Sequence, residues 1–359
     1  MEEMEREKQA IDLLLERCRR EHMSDLHLTK GLPPMGRQRG ALTALEGVAE
    51  LDEFMIENIA NSMLMQIGDQ YSPLKDVDFC YVSADNNRNR VNVYTQYGAP
   101  AIAIRMLNDE IPTIDEMGLP ELFKGLAMLP RGLLLVTGPT GSGKSTTLAA
   151  MIDYINENKA DHILTFEDPI EYKHANKRSM VNQREVGTDV ESFARALKSA
   201  LREDPDVILV GEMRDLETTA AAITAAETGH FVMSTLHTTG AASTIDRIID
   251  QFPAQQQEQM RILLAQVLRG VITQTLIPKA DGSGRVAAFE IMICNDAISN
   301  MIRENKCHQI NSALQTGQRN GMQSLDYHIA QLVKAKMITY EAGLERSVDP
   351  VQLRKYISN

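Results

Sequence analysis

The chain has 359 residues, of which 43% are apolar and 24% are charged, an ordinary composition for a globular protein. This length exceeds one typical domain, so we expect two domains, each large enough to bury a hydrophobic core. The formal net charge of −12 disfavours non-specific binding to nucleic acid or to an anionic membrane, because both require a cationic face. We therefore expect no nucleic-acid partner.

The cysteines and the N-terminus indicate a cellular compartment. The cysteines are scattered, with no CxxC pair, which argues against a disulfide framework or a zinc site. The first residues are charged and helix-periodic, unlike a signal peptide, and no apolar run approaches ~18 residues. We expect a cytosolic protein that is not inserted in a membrane.

The first 108 residues predict a small α+β domain. Apolar residues at helical spacing predict an amphipathic helix from Met1 to about Arg20, and the alternation in SDLHLT predicts a strand. A second helix is predicted in ELDEFMIENIANSML. Three further strands are predicted in DVDFCYVS, NRVNVYTQ and PAIAIRML. The turn-rich segment NDEIPTIDEMGLP predicts a linker over residues 109–119, with the domain boundary near residue 109.

Residues 120–359 predict an α/β domain, because continuous apolar strands alternate with helical segments. We therefore expect a largely parallel sheet covered on both faces. The last ~60 residues are expected to be helical. In chain order the predicted elements are GLLLVTG, STTLAAMIDYINEN, HILTFED, SFARALKSALRED, DVILVGE, ETTAAAITAAETG and HFVMSTLH.

The segment GPTGSGKST, residues 138–146, lies between an apolar strand and a helix-forming run, which is the context of a P-loop. Its glycines allow backbone N–H groups to form an anion-binding nest, to which the following helix adds the positive end of its dipole. Lys144 can reach the β- and γ-phosphates of ATP, and the Ser145 hydroxyl can bind Mg²⁺. The predicted nucleotide-binding residues are Gly138, Pro139, Thr140, Gly141, Ser142, Gly143, Lys144, Ser145 and Thr146.

Three strands beside the P-loop strand end in polar residues. One ends in Glu167 and Asp168, one in Glu212, and one in Ser234, Thr235 and His237. Since open α/β sheets bind ligands at the carboxyl ends of their strands, we expect these residues to converge on one crevice.

Hydrolysis of Mg·ATP requires one carboxylate to orient or deprotonate the attacking water and another to hold the water shell of the metal. We predict Glu212 as the base, because its longer side chain suits a water in line with the γ-phosphate. Glu167 is then a Mg²⁺ ligand, acting through water. The alternative for both is a solvated strand end.

His237 is a candidate sensor of the γ-phosphate, the alternative being a histidine satisfied by the local backbone. His230 starts the same strand just after the Ala-rich helix, and a capping or core role is equally open. Asp215, before LETT, is predicted to be the N-cap of that helix.

These residues carry a specific resemblance. GPTGSGKSTT, LTFEDPIEY, NQREVGTD, ILVGEMRDLETT and GHFVMSTLHT resemble the Walker A, Asp box, Walker B and His box of the secretion and pilus ATPase superfamily, in particular its type IV pilus retraction ATPases. The similarity extends to SDLHLTKGLPP and to NMIRENKCHQINSALQTGQRNGMQSLD, so it covers nearly the whole chain.

The resemblance implies a RecA-like P-loop NTPase domain preceded by a smaller PAS-like α+β domain, assembled as a homohexameric ring. It implies catalytic roles for Lys144, Glu167, Glu212, His230 and His237. It also implies a cytoplasmic position at the pilus base, peripheral to the inner membrane, with the inner-membrane platform protein as partner.

In rings of this kind the N-terminal domain contributes arginines to the nucleotide. NNRNRVN and AIRML supply Arg88, Arg90 and Arg105 as candidates. One arginine that stabilises transferred charge is worth ~10³ to 10⁵ in rate. Each of the three has a surface ion pair as its alternative role.

Two features bear on which branch of the superfamily this chain resembles. Pilus assembly and type II secretion ATPases usually carry a four-cysteine metal-binding insertion and a longer N-terminal region, and this sequence has neither. The motif AIRNLIRE of retraction ATPases reads AISNMIRE here, with Ser299 in place of the first arginine. Coupling to the pilus machinery is therefore less firmly predicted than ATP hydrolysis.

Other functions compete with a pilus motor. A small-molecule kinase requires an arginine-bearing lid after the P-loop, and ETTAAAITAAETG is a poor lid. A nucleic-acid motor on the same RecA-like core is disfavoured by the acidic balance. A nucleotide-sensing ring without hydrolysis is favoured by loss of Lys144 or Glu212, and both are present.

Overall fold

The structure is a computed structural model that describes residues 2–38, 40–107 and 110–358, with the backbone alone for residues 2–5. The chain divides into two compact units, Met1–Glu110 and Ile111–Asn359. The predicted boundary near residue 109 falls on positions 108 and 109, outside the described residues. In the described part of the chain, no helix is both long enough and apolar enough to cross a bilayer.

The first unit is an antiparallel sheet packed against two helices, α1 (Glu2–Arg20) and α2 (Glu53–Leu64). Its strands are β1 (Asp25–Leu28), β2 (Met35–Gln38), β3 (Ala41–Ala44), β4 (Val77–Val82), β5 (Arg88–Gln96) and β6 (Ala99–Met106). They pair in the order β3-β2-β1-β6-β5-β4. Ile11, Ile56 and Val91 belong to one core shared by helices and sheet, which confirms the predicted α+β character.

The sequence did not predict β2 and β3. All four residues of β3 are exposed, so it lacks the alternation of buried and exposed side chains by which a strand is recognised. These two strands form a short hairpin at one edge of the sheet.

The second unit is built on a seven-stranded sheet in the order β13-β12-β7-β11-β10-β8-β9. All neighbouring pairs are parallel except β12 with β13, so the predicted, largely parallel sheet is confirmed. Its strands are β7 (Gly132–Thr137), β8 (His162–Glu167), β9 (Met180–Glu185), β10 (Val207–Val210), β11 (Phe231–Leu236), β12 (Leu268–Pro278) and β13 (Arg285–Ile293).

Helices cover both faces of this sheet. Successive side chains of β7 point to opposite faces, so Leu133 and Leu135 join one core and Leu134 and Val136 the other. The helices are α3 (Leu122–Ala127), α4 (Lys144–Asn158), α5 (Phe193–Ala200), α6 (Leu216–Glu227), α7 (Ala241–Asp250), α8 (Ala254–Val267), α9 (Asp296–Arg303), α10 (Ile310–Thr316), α11 (Leu325–Lys334), α12 (Tyr340–Arg346) and α13 (Pro350–Ser358). The mainly helical C-terminus is therefore as predicted.

Two parts of the second unit differ from the sequence prediction. Ile114 and Leu119, in the segment predicted as a linker, are buried in the core beside α3 and α4. The long hairpin of β12 and β13 was not predicted, although its strands are almost entirely paired with each other. This hairpin extends the sheet beside the P-loop strand, because β12 also pairs with β7.

Candidate functional site at the carboxyl edge of the second sheet

The P-loop connects β7 to α4, as predicted. β7 ends at Thr137 and α4 begins at Lys144, with Gly143 as its N-cap residue. Gly138, Gly141 and Gly143 all have positive φ angles, of 140°, 76° and 88°, which residues with a side chain rarely adopt. The loop therefore has the glycine-dependent geometry that directs backbone N–H groups toward an anion.

Lys144 lies against the loop that it follows. Its Nζ donates hydrogen bonds to the carbonyl oxygens of Gly138 at 2.9 Å and Pro139 at 3.0 Å. Burial lowers the pKa of Lys144, and the negative charges of Glu212 and Glu171 act in the opposite direction. An anion bound in the loop would further favour the charged ammonium.

The register of the parallel strands brings the predicted strand ends together. Val210 of β10 is aligned with Phe166 of β8 and with Ser234 of β11, and Leu236 is aligned with Thr137 of β7. The residues that follow these positions therefore lie at one edge of the sheet, beside the P-loop. This edge is where Glu167, Glu212 and His237 were predicted to converge.

Glu212 is a buried carboxylate at this edge. Its Oε2 lies 3.3 Å from Nε2 of His237, and its Oε1 pairs with Nε of Arg214. The strand end beneath it is fixed, because the Thr235 hydroxyl donates to the carbonyl oxygen of Gly211 at 2.6 Å. Arg214, whose side chain is 70% exposed, was not predicted as a site residue; its position two residues after Glu212 was the available signal.

Glu167 is held by side chains of two neighbouring strands. Its Oε1 accepts hydrogen bonds from the hydroxyl of Thr165 at 2.6 Å and from Nε2 of Gln183 at 3.1 Å. Burial raises the pKa of Glu167, and the two hydrogen bonds oppose this shift. The two hydrogen bonds thus orient the carboxylate, while burial keeps most water away from it. Such a group is suited to face a hydrated cation.

A hydrogen-bonded chain connects Glu167 to the P-loop helix. Gln183 Nε2 also donates to the carbonyl oxygen of Tyr172 at 2.8 Å. The hydroxyl of Tyr172 lies 2.8 Å from that of Thr146. Because its hydroxyl is engaged with Tyr172, Thr146 can serve a nucleotide through its backbone N–H. Neither Gln183 nor Tyr172 was predicted as a site residue.

The structure does not bring His230 to this edge. His230 precedes β11 and His237 follows it, so the two histidines lie about 20 Å apart, at opposite edges of the sheet. The ring Nδ1 of His230 contacts the carbonyl oxygen of Ala225 at 2.9 Å and the hydroxyl of Thr228 at 3.2 Å. This histidine therefore closes the C-terminal end of α6.

Asp215 is the N-cap of α6, as predicted. Its side chain accepts hydrogen bonds from the backbone N–H of Thr218 at 2.8 Å and from the Thr218 hydroxyl at 3.0 Å. This cap fixes the start of the helix that follows Glu212 and Arg214.

The three candidate arginines lie in the first unit. Arg90 and Arg105 are direct neighbours across β5 and β6. Arg90 forms a two-pronged ion pair with Asp78, with its closer contact at 2.6 Å, and Arg105 pairs with Asp25 at 3.0 Å. Arg88 precedes Arg90 by two residues on β5 and donates to the sulfur of Cys80 at 3.2 Å.

The oxygen atoms of Ser145 and Glu167 are the ligand type that Mg²⁺ prefers. Ser145 lies in the first turn of α4, next to Lys144, and its side chain is half-buried. These two residues therefore fit a magnesium ion that would complete its shell with phosphate oxygens and water.

Known proteins with similar sequences decide the family. Residues 39–353 match the family model described as Type II/IV secretion system protein. The chain belongs to this family. It is 50% identical over 318 residues to a Neisseria gonorrhoeae protein described as a twitching motility protein, covering 88% of this chain and 84% of the relative. It is 49% identical over 331 residues to the type IV pilus retraction ATPase PilT of Pseudomonas aeruginosa, covering 91% of this chain and 95% of PilT.

A solved structure agrees with this assignment. The crystal structure of the pilus retraction motor PilT with bound ADP has a TM-score of 0.87 to this chain and 47% sequence identity, and covers 96% of this chain and 99% of the PilT chain. The predicted fold, a P-loop ATPase domain preceded by a smaller domain, is thus confirmed. As a member of this ATPase family, the chain is a nucleotide-binding ATPase.

Proposed function

We propose that this chain is a Mg·ATP-hydrolysing motor that powers the retraction of type IV pili, and through it twitching motility. The observation that carries the proposal is near-50% identity to a twitching motility protein and to PilT over most of the length of each. In this proposal the chain works as a homohexameric ring. It lies in the cytoplasm at the pilus base, peripheral to the inner membrane, and acts on the platform protein there.

The P-loop binds the phosphates of ATP. Backbone N–H groups of residues 138–146 and the N-terminus of α4 receive the negative charge. Lys144 contributes a point charge that reaches beyond the loop. Burial lowers the pKa of Lys144, which means that it disfavours the charged ammonium. A bound anion stabilises this ammonium, and the stabilisation adds to nucleotide affinity.

Ser145 and Glu167 would hold a magnesium ion, and the ion would supply positive charge to neutralise that of the nucleotide phosphates. The hydrogen bonds from Thr165 and Gln183 keep the Glu167 carboxylate at the strand end, facing the P-loop edge.

Glu212 orients the attacking water and accepts its proton. The carboxylate is buried at a strand end that Thr235 fixes, so little reorganisation is needed before reaction. In this proposal His237, whose Nε2 lies 3.3 Å from Glu212, senses the γ-phosphate. Arg214 pairs with the second carboxylate oxygen and so helps to hold the Glu212 side chain in position.

Arg88, Arg90 or Arg105 supplies positive charge to the nucleotide when the ring closes. Arg90 and Arg105 are held by Asp78 and Asp25, so each must exchange a carboxylate partner for a phosphate. The Arg90–Asp78 pair is exposed on both sides, so breaking it costs little, whereas Asp25 is mostly buried and holds Arg105 more firmly.

The proposal is tested by complementation in a bacterium that has lost its own retraction motor. The full chain should restore twitching and pilus retraction, and Lys144→Ala should not. Restoration of pilus assembly in an assembly-deficient strain, without restored retraction in the first strain, would instead assign the chain to the assembly branch.

The ring is tested by the mass of the purified particle with and without ATP. We expect a particle of six chains in at least one nucleotide state. A particle no larger than a dimer under all nucleotide conditions would rule out the mechanical proposal.

A further inference from the structure

Gln274, on β12, lies directly beneath the P-loop. β12 is paired with β7 as far as Thr273, which is aligned with Thr137, the last residue of β7. The hydroxyls of these two threonines lie 2.8 Å apart. β12 continues past this point while β7 turns into the P-loop. Gln274, the next residue of β12, therefore lies against the P-loop rather than opposite a residue of β7.

The side chain of Gln274 is fully enclosed, with 1% of its surface exposed, and both ends of its amide are bonded. Nε2 donates to the carbonyl oxygen of Ser142 at 2.8 Å, and Oε1 accepts from the hydroxyl of Thr147 at 2.8 Å. A carbonyl can only accept, so the amide orientation is fixed by these partners. One side chain thus joins the end of the P-loop to the first turn of α4.

The same residue explains two of the loop glycines. A Cβ atom at Gly143 would lie 2.9 Å from Nε2 of Gln274, and a Cβ atom at Gly138 would lie 2.2 Å from the backbone oxygen of Gln274. Both distances are shorter than real Cβ contacts. The backbone of Gln274 therefore leaves no space for a side chain at Gly138, and the hydrogen-bonded Gln274 amide would have to shift to admit one at Gly143.

The bond to Ser142 also sets the direction of a phosphate-binding group. In a trans peptide the C=O and N–H point in opposite directions. With the Ser142 carbonyl held toward Gln274, the N–H of Gly143 points away from Gln274, to the opposite side of the loop. The bond to Thr147 holds the helix end of the same turn, where the Thr147 N–H donates to the Gly143 carbonyl at 3.0 Å.

We infer that Gln274 is a positioning residue for nucleotide binding: it pre-sets the direction of the Gly143 N–H and locks the P-loop onto α4. In this inference Gln274 acts through the loop and not by contact with the nucleotide. The inference rests on the proposed role of residues 138–146 as the phosphate site, which Lys144→Ala tests separately.

The test uses the full chain and compares binding of Mg·ADP with steady-state ATP hydrolysis. Gln274→Met keeps the side-chain volume and removes both hydrogen bonds. Since loss of one buried neutral hydrogen bond corresponds to about fivefold in an equilibrium constant, we expect the Kd of ADP and the KM of ATP to rise about tenfold or more. We expect kcat to fall less than threefold, because the loop binds ground and transition states alike.

Two further variants separate the bonds. Thr147→Val keeps the shape of Thr147 and removes only the helix-side bond, so it should raise the Kd of ADP about fivefold. This effect should disappear in the Gln274→Met background, where the bond is already absent. Gln274→Glu keeps an acceptor for Thr147 but loses the donor to Ser142, and it should weaken ADP binding at least as much as Gln274→Met.

Gln323→Met is the matched control. Gln323 also donates a side-chain hydrogen bond to a backbone carbonyl of this sheet, that of Phe289 at 3.1 Å, but away from the P-loop. It should lower the Tm and leave the Kd of ADP unchanged. Binding of ADP within twofold of wild type by folded Gln274→Met would overturn the inference. If Gln274→Met does not fold, unchanged ADP binding by Thr147→Val overturns it instead.

Discussion

His328 is expected to make the stability of the second unit depend on pH in a calculable way. Its ring is stacked on Phe289, with centroids 5.7 Å apart, and its Nδ1 accepts a hydrogen bond from the Phe289 N–H at 2.9 Å. Burial lowers the pKa of His328 from 6.5 to about 4. The folded chain therefore holds this histidine neutral over a range in which the unfolded chain protonates it.

The sign and size of the effect follow from linkage. Because the unfolded state binds the proton more tightly, stability is lost as the pH falls from 6.5 toward 4. With these two pKa values, His328 removes on the order of 2 kcal/mol between pH 7 and pH 5. For a unit of this size, that corresponds to roughly 4 to 8 °C in Tm.

The assay is scanning calorimetry of nucleotide-free wild type and His328→Asn at pH 7 and pH 5. Asparagine places a non-titrating acceptor near the position of Nδ1, although the variant loses the stacked ring. All other titratable groups, the buried Glu290 among them, are present in both proteins, so the difference between the two pH-dependent Tm shifts isolates His328. Equal shifts in the two proteins would refute this account of the buried ring.

Other side chains give further predictions. Glu167→Gln should raise the Tm of the nucleotide-free chain at pH 7, because burial raises the pKa of this carboxyl and the amide removes a poorly solvated charge. The gain in Tm should shrink as the pH falls below 4.5, the ordinary pKa of this carboxyl. A gain in Tm that does not change with pH would contradict this prediction. Asp215→Ala should cost about 1 kcal/mol through loss of the α6 cap, with ADP affinity unchanged; a large change in affinity would place Asp215 in the site. Lys144→Ala should weaken ADP binding itself, and unchanged affinity would contradict the phosphate-site assignment.

The sequence was most informative where the signal is local. The P-loop lies in nine consecutive residues, 138–146, between an apolar strand and a helix. Each buried parallel strand is a continuous apolar run, so the polarity of the sheet, and the edge at which Glu167 and Glu212 lie, could be inferred without coordinates.

The sequence was least informative where a role depends on distant residues. Gln274 contacts Ser142 across 132 positions, and nothing near Gln274 in the sequence indicates this pairing. Gln183 and Tyr172 were missed for the same reason, since their contacts with Glu167 and Thr146 arise only when β8, β9 and α4 pack together.

His230 shows a different kind of limit. In a parallel sheet the residue that precedes a strand lies at the edge opposite the ligand site, so strand polarity alone was enough to place His230 away from Glu212. The catalytic role that the resemblance implied for His230 is therefore not one at this chain's own P-loop edge.

The central claim is that Glu212 acts as the base of an ATPase site, and Glu212→Gln tests it most directly. Turnover of ATP and binding of Mg·ADP are measured side by side in wild type, Glu212→Gln and Glu217→Gln. The last is the same chemical change at an exposed position five residues later. We predict that Glu212→Gln keeps near-normal ADP affinity and loses most of its turnover, whereas Glu217→Gln keeps both. Near-normal hydrolysis by Glu212→Gln would contradict the account.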